Sequence, residues 1–295
     1  MQSMGFPMCF PIETARFGRS IEMAASSGES SDSKNMPMLI AGMGRGAVAK
    51  ICGSQPTFVF CLRGELQLHG SSQSCVIAED QFYVNIDSDI RISSIGDSQW
   101  LALYFPEGDS PYLIGDAARR QSPLFTSIEE FDGNTRRICT EILARPHAEK
   151  CAVASAEALL DMVASYSAIC LQRQWSSPGR NEKAQRMSLQ RLLKVRTKIT
   201  TDAGSITTIQ QLAAQANYSE WHFIRVFHRV FGETPMEYAN RLRLKRAKHM
   251  LETSRMTVSE IARDSGYETF SAFCRSFRHH FGMTASSLRM KAAAH

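Results

Sequence analysis

Leu212-Ala213-Ala214-Gln215-Ala216-Asn217-Tyr218-Ser219, followed by Trp221-His222-Phe223-Ile224-Arg225-Val226-Phe227 and closed by Phe231-Gly232-Glu233-Thr234, is the stretch whose reading decides the fold. It recurs as Ile261-Ala262-Arg263-Asp264-Ser265-Gly266-Tyr267, Phe273-Cys274-Arg275-Ser276-Phe277 and Phe281-Gly282-Met283-Thr284. The first halves match at an offset of 49, as in Tyr218 and Tyr267, and the second halves at 50, as in Arg225 and Arg275. One residue is therefore added at the turn of the second copy. A period this long within one chain means two supersecondary units built alike, and a short helix, a turn and a longer helix make each a helix-turn-helix.

The flanking sequence is helical throughout. Thr207-x-x-Gln210, Thr234-Pro235-x-Glu237 and Thr257-x-x-Glu260 have the form of capping boxes, and Pro235 falls where a helix tolerates proline best. Gly232 and Gly282 stand just past apolar-periodic helices, where a left-handed residue is commonly needed. Seven helices are predicted, near 188–201, 207–214, 219–230, 235–252, 258–264, 269–280 and 285–292. Phe223, Phe227 and Phe231, like Phe273, Phe277 and Phe281, recur every four residues and form one buried face. The outward set is then Trp221, His222, Ile224, Arg225 and His228 on one helix and Ser271, Ala272, Arg275, Arg278 and His279 on the other. An arginine exposed in that slot has the fork that matches guanine O6 and N7 in the major groove.

Charge agrees with this. Residues 188–295 carry 17 Lys+Arg against 8 Asp+Glu, a net of +9, and residues 1–187 carry 17 against 21, a net of −4, which together give +5. A basic tail behind an acidic front implies a polyanionic partner for the tail. The chain of 295 residues suits two domains. Its eight cysteines form no C-x-x-C pair and sit mostly in apolar runs, as reduced, packed thiols do. Neither a signal peptide nor an apolar run of membrane-spanning form is read in the sequence, so a soluble, intracellular protein with no membrane partner is expected.

Residues 24–35 are poor in apolar side chains, and residues 1–36 are expected to form a disordered or loosely ordered arm. From Met38 to Phe105, eight short apolar runs (38–41, 47–52, 57–62, 65–69, 75–78, 81–86, 89–92 and 100–105) predict an antiparallel sandwich or small barrel. Helical spacing follows at 134–144 and 149–175. The second helix is apolar over more than one stripe, enough to cover the barrel or also to pair with a second subunit. Residues 176–187 read as a linker.

With both motifs, the tandem Phe-Gly ends and the joining helix bearing Tyr238, Arg241, Leu244, Ala247 and Leu251, residues 188–291 resemble the DNA-binding domain of the AraC/XylS family of bacterial transcription regulators. The resemblance implies a two-domain α+β protein. A cupin-like effector and dimerisation domain, a β-barrel or sandwich with trailing helices at 37–175, precedes an all-α domain of seven helices at 188–293 with motifs at 207–230 and 258–281. It implies two recognition helices held apart by the helix from Pro235 to Glu252. At about 27 Å, that helix suits a separation of roughly one turn of duplex, about 34 Å.

Carried over position by position, the base-reading slots fall on Trp221, His222, Ile224 and Arg225 and on Phe270, Ser271, Ala272 and Arg275. Ile224, Phe270 and Ala272 offer apolar contact only, so direct readout rests on Arg225, Arg275 and His222. Arg229, Lys245, Arg246, Lys248, Arg278 and His279 are candidates for phosphate contact. Ala285 and Leu288 depart from the proline and aromatic residue usual in the family. The resemblance further implies a cytoplasmic bacterial activator, a homodimer that binds promoter DNA, recruits RNA polymerase, and is gated by a small molecule or a protein coregulator. Phe58, Phe60, Leu62, Tyr83 and Trp100 are the candidate lining of an effector pocket. No cofactor or metal is expected: residues 1–187 contain only His69 and His147, too few imidazoles for a metal-dependent cupin. The competing reading is an enzyme, a DNA-repair alkyltransferase with an accessory module of this type. It requires a cysteine nucleophile beside a histidine, and no cysteine here has that setting.

Overall fold

The computed structural model describes residues 12–15, 20–23, 37–53, 56–70, 74–86, 89–105, 124–144, 153–201 and 208–293. The chain divides into two compact units, Met1–Gln172 and Arg173–His295. The stretch expected to be disordered, 24–35, lies outside the described residues.

Among the described residues the first unit has nine strands: β1 (Ile12–Ala15), β2 (Ser20–Met23), β3 (Met38–Met43), β4 (Val48–Ile51), β5 (Thr57–Gly70), β6 (Ser74–Ala78), β7 (Gln81–Asn85), β8 (Ile90–Tyr104) and β9 (Ser127–Glu130). Four of the eight expected runs merge in pairs, because β5 and β8 are long strands that pair antiparallel along their whole length, from Thr57 opposite Tyr104 to Gly70 opposite Ile90. Their register shifts around Arg63. Gly64 makes this possible: its φ is +78°, and a Cβ there would stand 2.8 Å from the Asp97 carbonyl oxygen. The shift splits the pairing. The first half of β5 bonds to β7 and the second half to β6, while β8 bonds to β3 at its end and to β4 at its start.

Two sets of inward side chains meet between the halves. Val59, Cys61, Tyr83, Trp100 and Ala102 come from one, and Leu66, Leu68, Ile77, Ile90 and Ile92 from the other. The Trp100 indole lies against Gly42, where any Cβ would collide with it, and its Nε1 donates to Ser94 Oγ at 3.1 Å.

Two parts of the sequence-based picture change. The arm expected over 1–36 contains strands: β1 pairs with β3 and β2 with β4, and both pairs are parallel, so the sheet is mixed. Ile12 to Ala15 and Ser20 to Met23 are too short to stand out as apolar runs, and it is the partner strands that define them.

The outer face of the sheet is aromatic and carries helices α1 (Gly133–Leu143) and α2 (Val153–Ser176). Tyr166 of α2 packs edge-on to Phe58 and Phe82, with centroids 6.1 and 5.5 Å apart, and its hydroxyl meets Ser127 Oγ at 2.5 Å. Burial holds the phenol well above its ordinary pKa. Asp132 caps α1 by accepting from the Thr135 amide, and Arg136 ties the helix to Glu79, Asp80 and the Leu62 carbonyl. By length and composition Ala154–Ser176, with mean hydropathy 1.3, would suffice to cross a membrane. Its Ala156, Leu159, Leu160, Val163, Tyr166 and Cys170 form one buried stripe, and Glu157 and Asp161 are exposed. One stripe packs on the sheet, and the opposite side is exposed at Ile169 and Trp175.

The second unit contains α3 (Glu182–Thr201), α4 (Ile209–Gln215), α5 (Glu220–Phe231), α6 (Pro235–Thr253), α7 (Val258–Asp264), α8 (Phe270–Phe281) and α9 (Ala285–Ala293). The seven expected helices match these within a few residues, except that α3 starts six residues early and takes 182–187 from the expected linker. Asn181 explains the start: its side chain accepts from the Ala184 amide at 2.9 Å, and good helix formers follow.

Candidate nucleic-acid interface

Each helix-turn-helix is built from its caps inward. Thr208 and Gln211 form a reciprocal capping box on α4, with bonds of 3.1 and 3.3 Å. The expected box was Thr207 with Gln210. The Thr-Thr pair permits either register, and the later one forms; Thr207 lies outside the described residues. Thr234 with Glu237 and Thr257 with Glu260 form the other two as expected. In both boxes the carboxylate accepts from the threonine amide and sits below its ordinary pKa for that reason.

The two turns enter alike and leave differently: one residue, Ser219, separates Tyr218 from α5, and two, Glu268 and Thr269, separate Tyr267 from α8. Asn217 (φ +58°) and Gly266 (φ +76°) take the left-handed conformation, and the next amides, of Tyr218 and Tyr267, donate to Ala213 and Ala262. Gly232 and Gly282 end α5 and α8 at φ +79° and +69°. Phe223, Phe227, Phe273 and Phe277 are fully buried, which turns the opposite face of each longer helix outward. Phe231 and Phe281, which end the two series, are only partly buried.

On α5, Trp221, His222 and Arg225 are exposed and Ile224 is half-buried; on α8, Phe270, Ser271 and Arg275 are exposed and Ala272 is half-buried. Trp221 is 71% and Phe270 48% exposed, large apolar areas to leave in water. The Arg225 guanidinium lies over the Trp221 indole, 5.1 Å from its centroid. His222 packs edge-on to Tyr218 at 5.0 Å. A groove of about 410 Å³ is lined by His222, Ile224, Arg225, His228, Arg229 and Thr234. Both turn tyrosines are half-buried and tied to a neighbouring helix: the Tyr218 hydroxyl meets Ser188 of α3 at 2.6 Å, and Tyr267 packs on Phe273 and donates to Asn240 of α6.

All but one of the candidate phosphate contacts are exposed. Arg229, Arg278 and His279 are exposed on α5 and α8, and Lys245 is exposed on α6. Arg246 reaches Asp264 at 3.4 Å. Lys248 lies 3.9 Å from Glu252 and 5.6 Å from the Phe281 ring centroid.

Three roles were not read from the sequence. Arg196 of α3, 8% exposed, lies over the rings of Phe231 and Tyr238 at 5.1 and 4.9 Å and fastens the end of α5. Arg241 forks onto Glu233, bracing α6 against the preceding turn. Arg289 of α9 donates to the carbonyls of Leu251, Ser254 and Met256 at the end of α6. With Ala285 and Leu288 buried in the core of the second motif, α9 is held firmly without the residues usual at those positions. An arginine reads as surface in a sequence; only its aromatic or carbonyl partners reveal such a role.

The candidate effector set is not brought together. Tyr83 and Trp100 face the interior between the sheet halves. Phe58 and Phe60 face the helices, stacking with Phe82 and, through Phe60, meeting Phe131; Leu62 is buried beside them in sequence, its carbonyl held by Arg136. Strand alternation places neighbours on opposite faces, and only the cross-strand register shows which residues of different strands share one. No group of three or more His, Cys, Asp or Glu suited to a metal occurs among the described residues.

Two helix-turn-helix units whose outer faces set arginine and histidine beside exposed Trp221 and Phe270 define a double-motif DNA-binding domain. A helix-turn-helix domain family profile matches residues 212–291. The regulatory protein SoxS of Salmonella typhimurium is 36% identical over 81 residues, covering 28% of this chain and 76% of SoxS. An uncharacterised HTH-type transcriptional regulator of Haemophilus influenzae is 33% identical over 81 residues, 28% of this chain and 27% of that protein. The DNA-binding domain of AdpA, solved in complex with a target DNA, is 27% identical and covers 35% of this chain and 94% of that one, with a TM-score of 0.34. The chain belongs to the AraC/XylS family of helix-turn-helix transcriptional regulators. It spans only about a quarter to a third of the length of the first curated relatives it matches.

Proposed function

We propose that the protein is a sequence-specific DNA-binding transcription regulator, not an enzyme, and that it acts as an activator recruiting RNA polymerase to promoter DNA. The observation that carries the reading is the pair of equivalent exposed arginines, Arg225 and Arg275, on helices whose opposite faces are buried phenylalanine. In this reading α5 and α8 enter successive major grooves, Arg225 and Arg275 fork onto guanines, His222 adds a hydrogen bond, and Ile224, Phe270 and Ala272 meet thymine methyl groups. Exposed cations on α5, α6 and α8 supply the phosphate contacts that fix register. The alkyltransferase alternative needs an accessible thiolate beside a histidine; burial pushes the thiols of Cys61, Cys75 and Cys139 up to about 12, and the half-buried Cys52 and Cys274 have no histidine next to them in the sequence.

The first unit serves as a cupin-like effector module that gates activity by binding a small molecule or a protein coregulator, and as the dimerisation element through α2. The separation of its aromatic residues onto two faces favours either the interior around Tyr83 and Trp100 or the helix-covered face around Phe58 and Phe60 as a ligand site, not one pocket made of all five.

The test is selection of duplexes from a randomised pool with the full-length protein, followed by titration of the recovered sequence. The reading predicts a preferred site of about two helical turns and an affinity that falls steeply with salt as condensed counterions are released. Equal affinity for a scrambled duplex at physiological salt would remove specific readout.

A further inference from the structure

The two recognition helices are alike in backbone and unlike in how they hold their arginines. On α5 the residue four before Arg225 is Trp221, and the guanidinium lies 5.1 Å from the indole centroid. Residues four apart on a helix share a face, so the contact is made within one rigid element. On α8 the residue four before Arg275 is Ser271, and Arg275 has no ring, carboxylate or hydrogen-bond partner among the described residues. The turn tyrosines also differ in the ring they meet: Tyr218 the exposed His222, and Tyr267 the buried Phe273.

We propose that Trp221 is a positioning residue for Arg225, holding the guanidinium ready to fork onto a guanine. The proposal rests on the DNA-binding reading above. A long arginine side chain gives up rotamer freedom when it makes a two-pronged bond to a base, and one already lying on an indole has less to give up. The cation–ring attraction also strengthens when the interface sheds water, since it is worth more in a desolvated site than in an exposed one. Arg275 has neither aid. The substitution that tests this is mild for the fold, because Trp221 is 71% exposed.

The experiment uses full-length protein and the duplex recovered from the randomised pool, with each base pair substituted in turn. Trp221→Ala is expected to weaken the recovered duplex by about tenfold and to flatten preference at the same base pair that Arg225→Ala flattens. The double variant should bind no more weakly than Arg225→Ala alone, Trp221→Phe should keep most of the preference, and the slope of affinity against salt should not change, since no phosphate contact is lost. Additive losses, a flattened preference at a different base pair, or no effect of Trp221→Ala would each overturn the assignment while leaving the DNA-binding reading intact. A pool that yields no preferred duplex would overturn both.

Discussion

Phe227 and Phe277 occupy the same place in the two motifs, each fully buried and in contact with the phenylalanines one turn away, with centroids 4.6 to 5.6 Å apart. Phe227→Ala or Phe277→Ala should each cost about 3–5 kcal/mol of stability, the transfer and cavity penalty of a large core aromatic, measured as the shift in urea unfolding of the full chain. A loss below about 1 kcal/mol would mean that the face is not the core. These residues were legible in the sequence because a four-residue repeat of one large apolar type has only one helical face to occupy, and the same periodicity turned Arg225 and Arg275 outward. The pairing of Arg225 with Trp221 was not legible, because both stood in the outward set with no sign that one leaned on the other. The buried thiols of Cys61, Cys75 and Cys139, pushed up to about 12, should stay unmodified by a thiolate-selective reagent near neutral pH and react once the chain is unfolded in urea, as read by mass spectrometry. Rapid labelling of these three in the native protein would contradict their burial.

At the scale of elements, helix ends were the most readable feature and cross-strand register the least. A threonine, two residues and a carboxylate satisfy each other's backbone neighbours without help from the rest of the protein, so the boxes at Thr234 and Thr257 are local facts. Gly64, by contrast, matters only because β8 passes beside it, and β1 and β2 exist only as partners of β3 and β4. The capping carboxylates of Glu237 and Glu260 sit below their ordinary 4.5 because they accept from threonine amides. Their contribution is therefore complete above the unfolded value and is lost as pH falls from about 4.5 through the folded one. The Glu237→Gln, Glu260→Gln double variant should show a flatter decline of its unfolding midpoint with acid than the parent; identical slopes would show that the boxes do not carry the effect. The outer side of α2 belongs to this scale too. Ile169 and Trp175 are 43% and 59% exposed on the helix whose other stripe packs on the sheet. If that side joins two subunits, Ile169→Asp should convert a dimer to a monomer in sedimentation of the full chain at about tens of micromolar, and an unchanged or monomeric parent would leave α2 as a cover for the sheet.

For the whole molecule, the account makes the two outward helices the readers of sequence and the larger first unit the source of control. Tandem motifs were legible because the chain states them twice. The use of the first unit was not, because aromatic side chains in a sheet read alike whether they line a cavity or fill a core, and register alone separates Tyr83 and Trp100 from Phe58 and Phe60. Gating requires a signal that favours one state of the molecule over another. The central claim, that Arg225 and Arg275 each read a base pair, is tested most directly by titrating full-length protein, Arg225→Ala and Arg275→Ala against the selected duplex and all its single-base-pair substitutions. Each arginine variant should lose about 1–3 kcal/mol of specific affinity and become indifferent at one base pair, a different one for each variant, with the two positions about one helical turn apart. Variants that weaken every duplex equally and keep the parent's preferences would contradict the account, leaving both arginines as phosphate contacts.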